Sequence, residues 1–182
     1  MSIQIEEENF YPAVSEWLHR IVGCQFICKR KFLWGKQPDV LGVKFSKGKN
    51  LRADLYLVEV KSINCLNSAY NLIGEMETRI AQFLKRTSAF YALHPYLAIY
   101  ESYKCKEIRD YAKHRGIGIL LIKNNNDVKL SLEKTPIPII SGKTLSIENF
   151  KNESWIEDKD EARIFREAIR NIGWWMLKDL IS

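Results

Sequence analysis

The sequence predicts an α/β protein with a mixed central β-sheet flanked by helices. Apolar runs of β type alternate along the chain with segments whose apolar residues recur every three or four positions. The run Leu55-Tyr-Leu-Val-Glu-Val60 is apolar enough to be buried on both faces at the centre of a sheet. At 182 residues, 46% hydrophobic and 27% charged, the chain can build one domain with a substantial core.

Residues 6–22 read as an amphipathic helix. Val14, Trp17, Leu18 and Ile21 keep the helical spacing, Pro12 suits a first turn, and Gly23 is a natural stop. A first strand is expected over 24–34, from Cys-Gln-Phe-Ile-Cys into a basic stretch. Asp39–Phe45 forms a second strand, Ser46–Asn50 its polar turn, and Arg52–Lys61 a third. Asn67–Arg86 is a helix with Leu72, Met76, Ile80 and Phe83 on its apolar stripe. Strand material over Ala89–Tyr100 is interrupted at His94-Pro95. A charged helix over Lys104–Arg115 ends at Gly116, and Gly118–Lys123 is a strand that turns at Asn124–Asn126 into Val128–Leu132. Residues 133–153 read as a loop or crossing segment, followed by a helix with Ala162, Phe165, Ile169, Ile172, Trp175 and Met176 in register. The expected organisation is a core over 1–132 and a C-terminal loop and helix over 133–182, packed on the core or forming a dimer contact.

Several function classes are disfavoured. No apolar run approaches the roughly 18 residues of a membrane span. The acidic start, with Glu6, Glu7 and Glu8, is unlike a signal peptide, so a cytoplasmic location is expected. Cys24 and Cys28 are spaced like half a metal site, but no second pair follows them, and reduced thiols are expected. No Gly-rich phosphate loop and no Ser/His/Asp or Cys/His nucleophile motif stands out.

The formal net charge is +6. Lys29, Arg30, Lys31, Lys36, Lys44, Lys47, Lys49, Arg52 and Lys61 crowd between Cys28 and Ser62, against Asp39, Asp54 and Glu59. A surplus of this kind offsets the repulsion that carboxylates exert on a polyanion, although a solvated basic face has the same composition.

Within that basic stretch, Pro38-Asp39 is followed by Glu59-Val60-Lys61 deep in the apolar third strand. Glu59 and Lys61 share one strand face, roughly 7 Å apart. Charge in so apolar a strand needs compensation. Two carboxylates can hold a divalent cation while a lysine stabilises charge developing on phosphate. An ion pair between Glu59 and Lys61, or side chains snorkelling from a sheet edge, is the plainer explanation. The acid-x-Lys string itself is cheap: Asp127-Val-Lys129 and Glu157-Asp-Lys159 repeat it in turn and polar contexts. Asp54 is a rival first acid, but it lies five residues before Glu59 and so on the opposite face.

The order helix, strand, Pro-Asp strand, Glu-x-Lys strand, helix, strand over residues 6–123 resembles the core of the PD-(D/E)XK nuclease superfamily, the restriction-endonuclease-like fold. The resemblance implies that Asp39 and Glu59 bind Mg²⁺, or Mn²⁺ in its place, and that the backbone carbonyl of Val60 completes the metal shell. It makes Lys61 the group that orients water or stabilises the transition state. Many members add a glutamate from the first helix. Glu6, Glu7, Glu8 and Glu16 compete for that role, and Glu8 is the best placed, though helix N-termini attract acids by their dipole alone. Gln82 matches a glutamine found on the following helix in some members.

The expected function is a Mg²⁺-dependent endonuclease acting on duplex or branched DNA. Lys29, Arg30, Lys31, Lys36, Lys47 and Lys49 are candidate phosphate contacts. A one-site protomer that cuts both strands commonly works as a homodimer, for which the helix with Trp174-Trp175 is a candidate interface. The alternatives are a non-catalytic nucleic-acid-binding or assembly module with the same fold, and an unrelated soluble enzyme.

Overall fold

A computed structural model describes residues 6–29, 39–47, 51–61, 69–86, 91–100, 105–124 and 128–142. The first helical segment opens as a 3-10 turn (Glu7–Phe10), becomes α1 (Tyr11–Trp17) and ends in a π-helical turn (Leu18–Val22). Pro12 lies in the first turn of α1, where its missing N–H removes no helical bond. Val14, Trp17 and Leu18 are buried as their spacing requires, but Ile21 is 72% exposed. The π turn accounts for this. It adds a residue to the turn, which carries Ile21 off the apolar stripe and brings Val22 against the core. Gly23 closes the segment at φ 82°, with its N–H donating to the Leu18 carbonyl.

β1 (Phe26–Lys29), β2 (Val40–Lys47) and β3 (Leu51–Lys61) form an antiparallel meander. From β3 the chain crosses through α2 (Ala69–Arg86) to β4 (Ala92–Tyr100), which runs parallel to β3. It crosses again through α3 (Cys105–Arg115) to β5 (Gly118–Asn124), parallel to β4, and β6 (Val128–Lys134) returns antiparallel. The result is an open mixed sheet in the order β1-β2-β3-β4-β5-β6, the α/β class expected.

Both crossovers step the same way across the sheet, so right-handed connections place α2 and α3 on one face. Arg115 of α3 bridges Glu77 of α2 at 2.7 Å, and Arg109 bridges Glu133 of β6 at 2.8 Å. α1 covers the other face. Its Tyr11, Val14 and Trp17 form one cluster with Tyr56, Val58 and Val60 of β3 and with Tyr96 and Ala98 of β4. The alternate residues of β3, Leu55, Leu57 and Glu59, are also buried, as a central strand requires.

Two expectations are corrected. β4 runs without interruption through His94-Pro95. Pro95 falls where β4 is flanked only by β3, since β5 pairs from Tyr96 onward and a short antiparallel strand, β7 (Ile139–Ile140), pairs only with Ala92 and Leu93. β7 itself comes from the stretch expected to be a loop. It fills the edge of β4 that β5 leaves open, while β6 extends to Lys134, so the sheet continues past residue 132. The C-terminal helix with Trp174-Trp175 lies outside the described residues.

Candidate metal centre

Glu59 is buried to 2% exposure, and among the described residues it is the one charged side chain so far withdrawn from water. Asp39 sits at the bend directly before β2. The β2–β3 register begins with Val40 opposite Val58, so Asp39 lies at the end of the hairpin where β3 carries Glu59, 20 positions later in sequence.

Asp39 is held at both oxygens. The Val60 N–H donates to Oδ2 at 2.7 Å, and the Tyr11 hydroxyl donates to Oδ1 at 2.7 Å. The first bond caps the edge of β3 at the point where β2 ends. Because a residue's N–H and C=O leave a strand on the same side, the Val60 carbonyl also faces the end of β2.

Lys61 closes β3, and its Nζ lies 3.7 Å from Glu7 Oε2, the two side chains being 18% and 19% exposed. Glu8, the glutamate favoured from sequence, is exposed, and it is Glu7 that stands against Lys61. Glu7 opens the 3-10 turn that leads into the buried Tyr11, and no helical period marks it out from Glu8. Tyr11 was missed as well, although a buried tyrosine hydroxyl requires a partner.

Asp54 lies on the α1 side of β3, opposite Lys44 of β2, as its odd spacing from Glu59 requires. Its Oδ2 is 3.6 Å from His94 Nε2, and the His94 ring stacks on Tyr56 at 4.3 Å. It does not join Asp39.

The basic residues divide. Lys29 is exposed, and it pairs in register with Val40, which puts it at the carboxylate end of the sheet. Lys47 closes the far end of β2, about 25 Å along the strand from Asp39. Arg30, Lys31, Lys36 and Lys49 lie outside the described residues, as do the side chains of Lys47 and of Gln82 in α2.

Among the described residues no group of three or more His, Cys, Asp or Glu side chains is arranged to hold a metal ion. The arrangement offers two carboxylates and a strand-edge carbonyl. That donor set fits Mg²⁺, which takes one or two carboxylates and keeps waters or substrate phosphate in its other positions. It does not fit a closed zinc site.

No helix among the described residues is long and apolar enough to cross a membrane. Comparison of the chain with known proteins finds no matching family model and no significant match to a curated protein or a solved structure.

Proposed function

We propose that the chain is a Mg²⁺-dependent endonuclease that hydrolyses phosphodiester bonds in DNA, on a restriction-endonuclease-like core of the PD-(D/E)XK type. One observation carries this reading: Asp39 accepts a hydrogen bond from the N–H of Val60, the residue between Glu59 and Lys61. The order of helix, antiparallel meander, helix and parallel strand supports it.

Asp39, Glu59 and the Val60 carbonyl would hold the ion. When bound, Mg²⁺ or Mn²⁺ supplies a water acidic enough to be deprotonated near neutral pH, and positive charge toward the phosphate oxygens. The chain's own residues do the rest. The meander holds Asp39 against the Val60 N–H, and Glu59 is withdrawn from bulk water. Lys61 presents an ammonium from the end of β3, close enough to Glu7 that the pair is largely screened from solvent. A cation placed there stabilises the phosphate charge that grows in the transition state, so its effect falls on rate. Lys29, exposed at the same end of the sheet, is positioned for the DNA backbone. Cutting both strands of a duplex would employ a homodimer.

The test is incubation of the full chain with supercoiled, linear, single-stranded and branched DNA in Mg²⁺, Mn²⁺ or EDTA. Cutting is expected only with a divalent cation. Lys61→Ala is expected to lower the rate on the order of 100-fold or more, and Asp39→Asn to lower it at least as far. Metal-dependent cutting that survives both substitutions would overturn the site. Binding to DNA without cutting under every condition would identify the chain as a non-catalytic module.

A further inference from the structure

We infer that Tyr11 is a positioning residue that sets the orientation of the Asp39 carboxylate for a divalent cation. The inference rests on the metal-dependent reading above. It starts from the fact that each Asp39 oxygen is already engaged by one donor, the phenol of Tyr11 at Oδ1 and the amide of Val60 at Oδ2, both at 2.7 Å. A carboxylate has about four lone-pair sites, so two donors leave one open site on each oxygen. Two bonds also stop the group from rotating about its Cβ–Cγ bond. A carboxylate pinned in this way presents its remaining lone pairs in one direction.

The two donors are not equivalent. The Val60 amide belongs to β3, and its bond to Asp39 does what any strand-end cap does. The Tyr11 hydroxyl comes from α1, across 28 positions of sequence, and its ring is buried among Phe10, Val14 and the aromatic residues of β3 and β4. Packing therefore fixes the ring, and the ring fixes the hydroxyl. A buried phenol needs some acceptor, and a backbone carbonyl would serve as well for stability. Here the acceptor is an ionisable group that also holds the N–H of Val60, the residue after Glu59. A hydrogen bond to a charged acceptor is shorter and stronger than a neutral one. In the 3-10 turn that precedes α1, Glu7 meets Lys61. The N-terminal helical segment thus touches both Asp39 and Lys61.

Ligating carboxylates are commonly held by outer hydrogen bonds, and loss of such a partner costs 10- to 100-fold in metal affinity. Tyr11→Phe keeps the ring and its packing and removes only the donor. The Val60 bond remains, so the carboxylate stays near its place and regains its rotation. Metal affinity is therefore expected to fall, and a high metal concentration is expected to recover the rate.

The experiment measures Mn²⁺ binding to the full chain, without DNA, by calorimetry for wild type, Tyr11→Phe and Asp39→Asn. Thermal midpoints of the three in EDTA and the Mn²⁺ dependence of DNA cutting accompany it. Tyr11→Phe is expected to raise the Mn²⁺ dissociation constant at least tenfold and to shift half-maximal cutting by a similar factor, while cutting at saturating Mn²⁺ stays within about threefold of wild type. Asp39→Asn is expected to lose measurable binding. A lower thermal midpoint in EDTA with an unchanged dissociation constant would make Tyr11 purely structural and overturn the inference while leaving the metal centre intact. Absence of Mn²⁺ binding in the wild type would overturn the metal centre and the role of Tyr11 together.

Discussion

A Cβ at position 118 would lie 2.6 Å from Tyr96 Cδ1 and 2.8 Å from Pro136 Cδ, with φ unremarkable, so Gly118 is required by close approach and not by backbone conformation. Tyr96 also meets Trp17 edge-on at 5.3 Å, and its ring has little room to yield. Gly118→Ala is expected to destabilise the protein by about 1–3 kcal/mol, as overpacking does, read as a lower urea midpoint. An unchanged midpoint would show that the Tyr96 ring can move. Asp39 has a double part at this scale. It caps the Val60 N–H and accepts from Tyr11, so Asp39→Ala strands a backbone donor and carries a stability cost of about 1–3 kcal/mol on top of any lost metal binding. Asp39→Asn keeps an acceptor for one of the two bonds, which makes it the sharper test of chemistry. Asp39, Glu59 and Lys61 were legible in the sequence because charge in an apolar strand is conspicuous. Tyr11 and Glu7 were not, because a tyrosine and a glutamate on a helix have ordinary explanations until their partners are known.

At the scale of elements, proline in β4 is the instructive case. His94-Pro95 read as an interruption because proline cannot donate to a ladder. The strand nevertheless continues, since β7 has ended and β5 has not begun beside those two residues. Pro95→Val, which keeps a similar buried volume, is therefore expected to change stability by no more than about 1 kcal/mol, the scale of the entropy that proline withholds from the unfolded chain. Urea denaturation checks it, and a loss well above that would mean that the ring itself shapes the β3–β4 contact. The N-terminal helical segment teaches the opposite lesson. α1 obeys the sequence period, and the turn after it does not, because a single π turn shifts the phase and sends Ile21 to solvent. Periodicity assumes a constant rise and twist, so one local irregularity misplaces every residue after it.

For the molecule as a whole, the α1 face of the sheet fixes how stability depends on alkaline pH. Burial pushes the Cys24 thiol from its ordinary value of 9.0 up to about 12, with Lys44 lowering and Asp54 raising it to a lesser degree. Burial likewise raises Tyr96 to about 12 and raises Tyr56. These groups stay protonated in the folded protein after their unfolded counterparts have lost protons. A raised folded value contributes stability that is complete below the unfolded value and is lost as pH climbs to the folded one. The urea midpoint is therefore expected to hold to about pH 9 and to fall between pH 9 and 12, and Cys24→Ala to make that fall shallower. A midpoint flat to pH 11 would show that the cluster is open to water.

The class of the fold, most element positions, the burial of β3 on both faces and the identity of Asp39, Glu59 and Lys61 as the charges that require a reason are all legible in the order of residues. They are legible because strand and helix periods report which way each side chain leaves its own element. The folded chain adds that Asp39 meets the Val60 N–H, that β7 completes the edge of β4, and that Tyr11 and Glu7 reach Asp39 and Lys61. Those contacts join residues 21 to 54 positions apart. They depend on the path of the chain between elements and on what packs against what, which no period within a single element records.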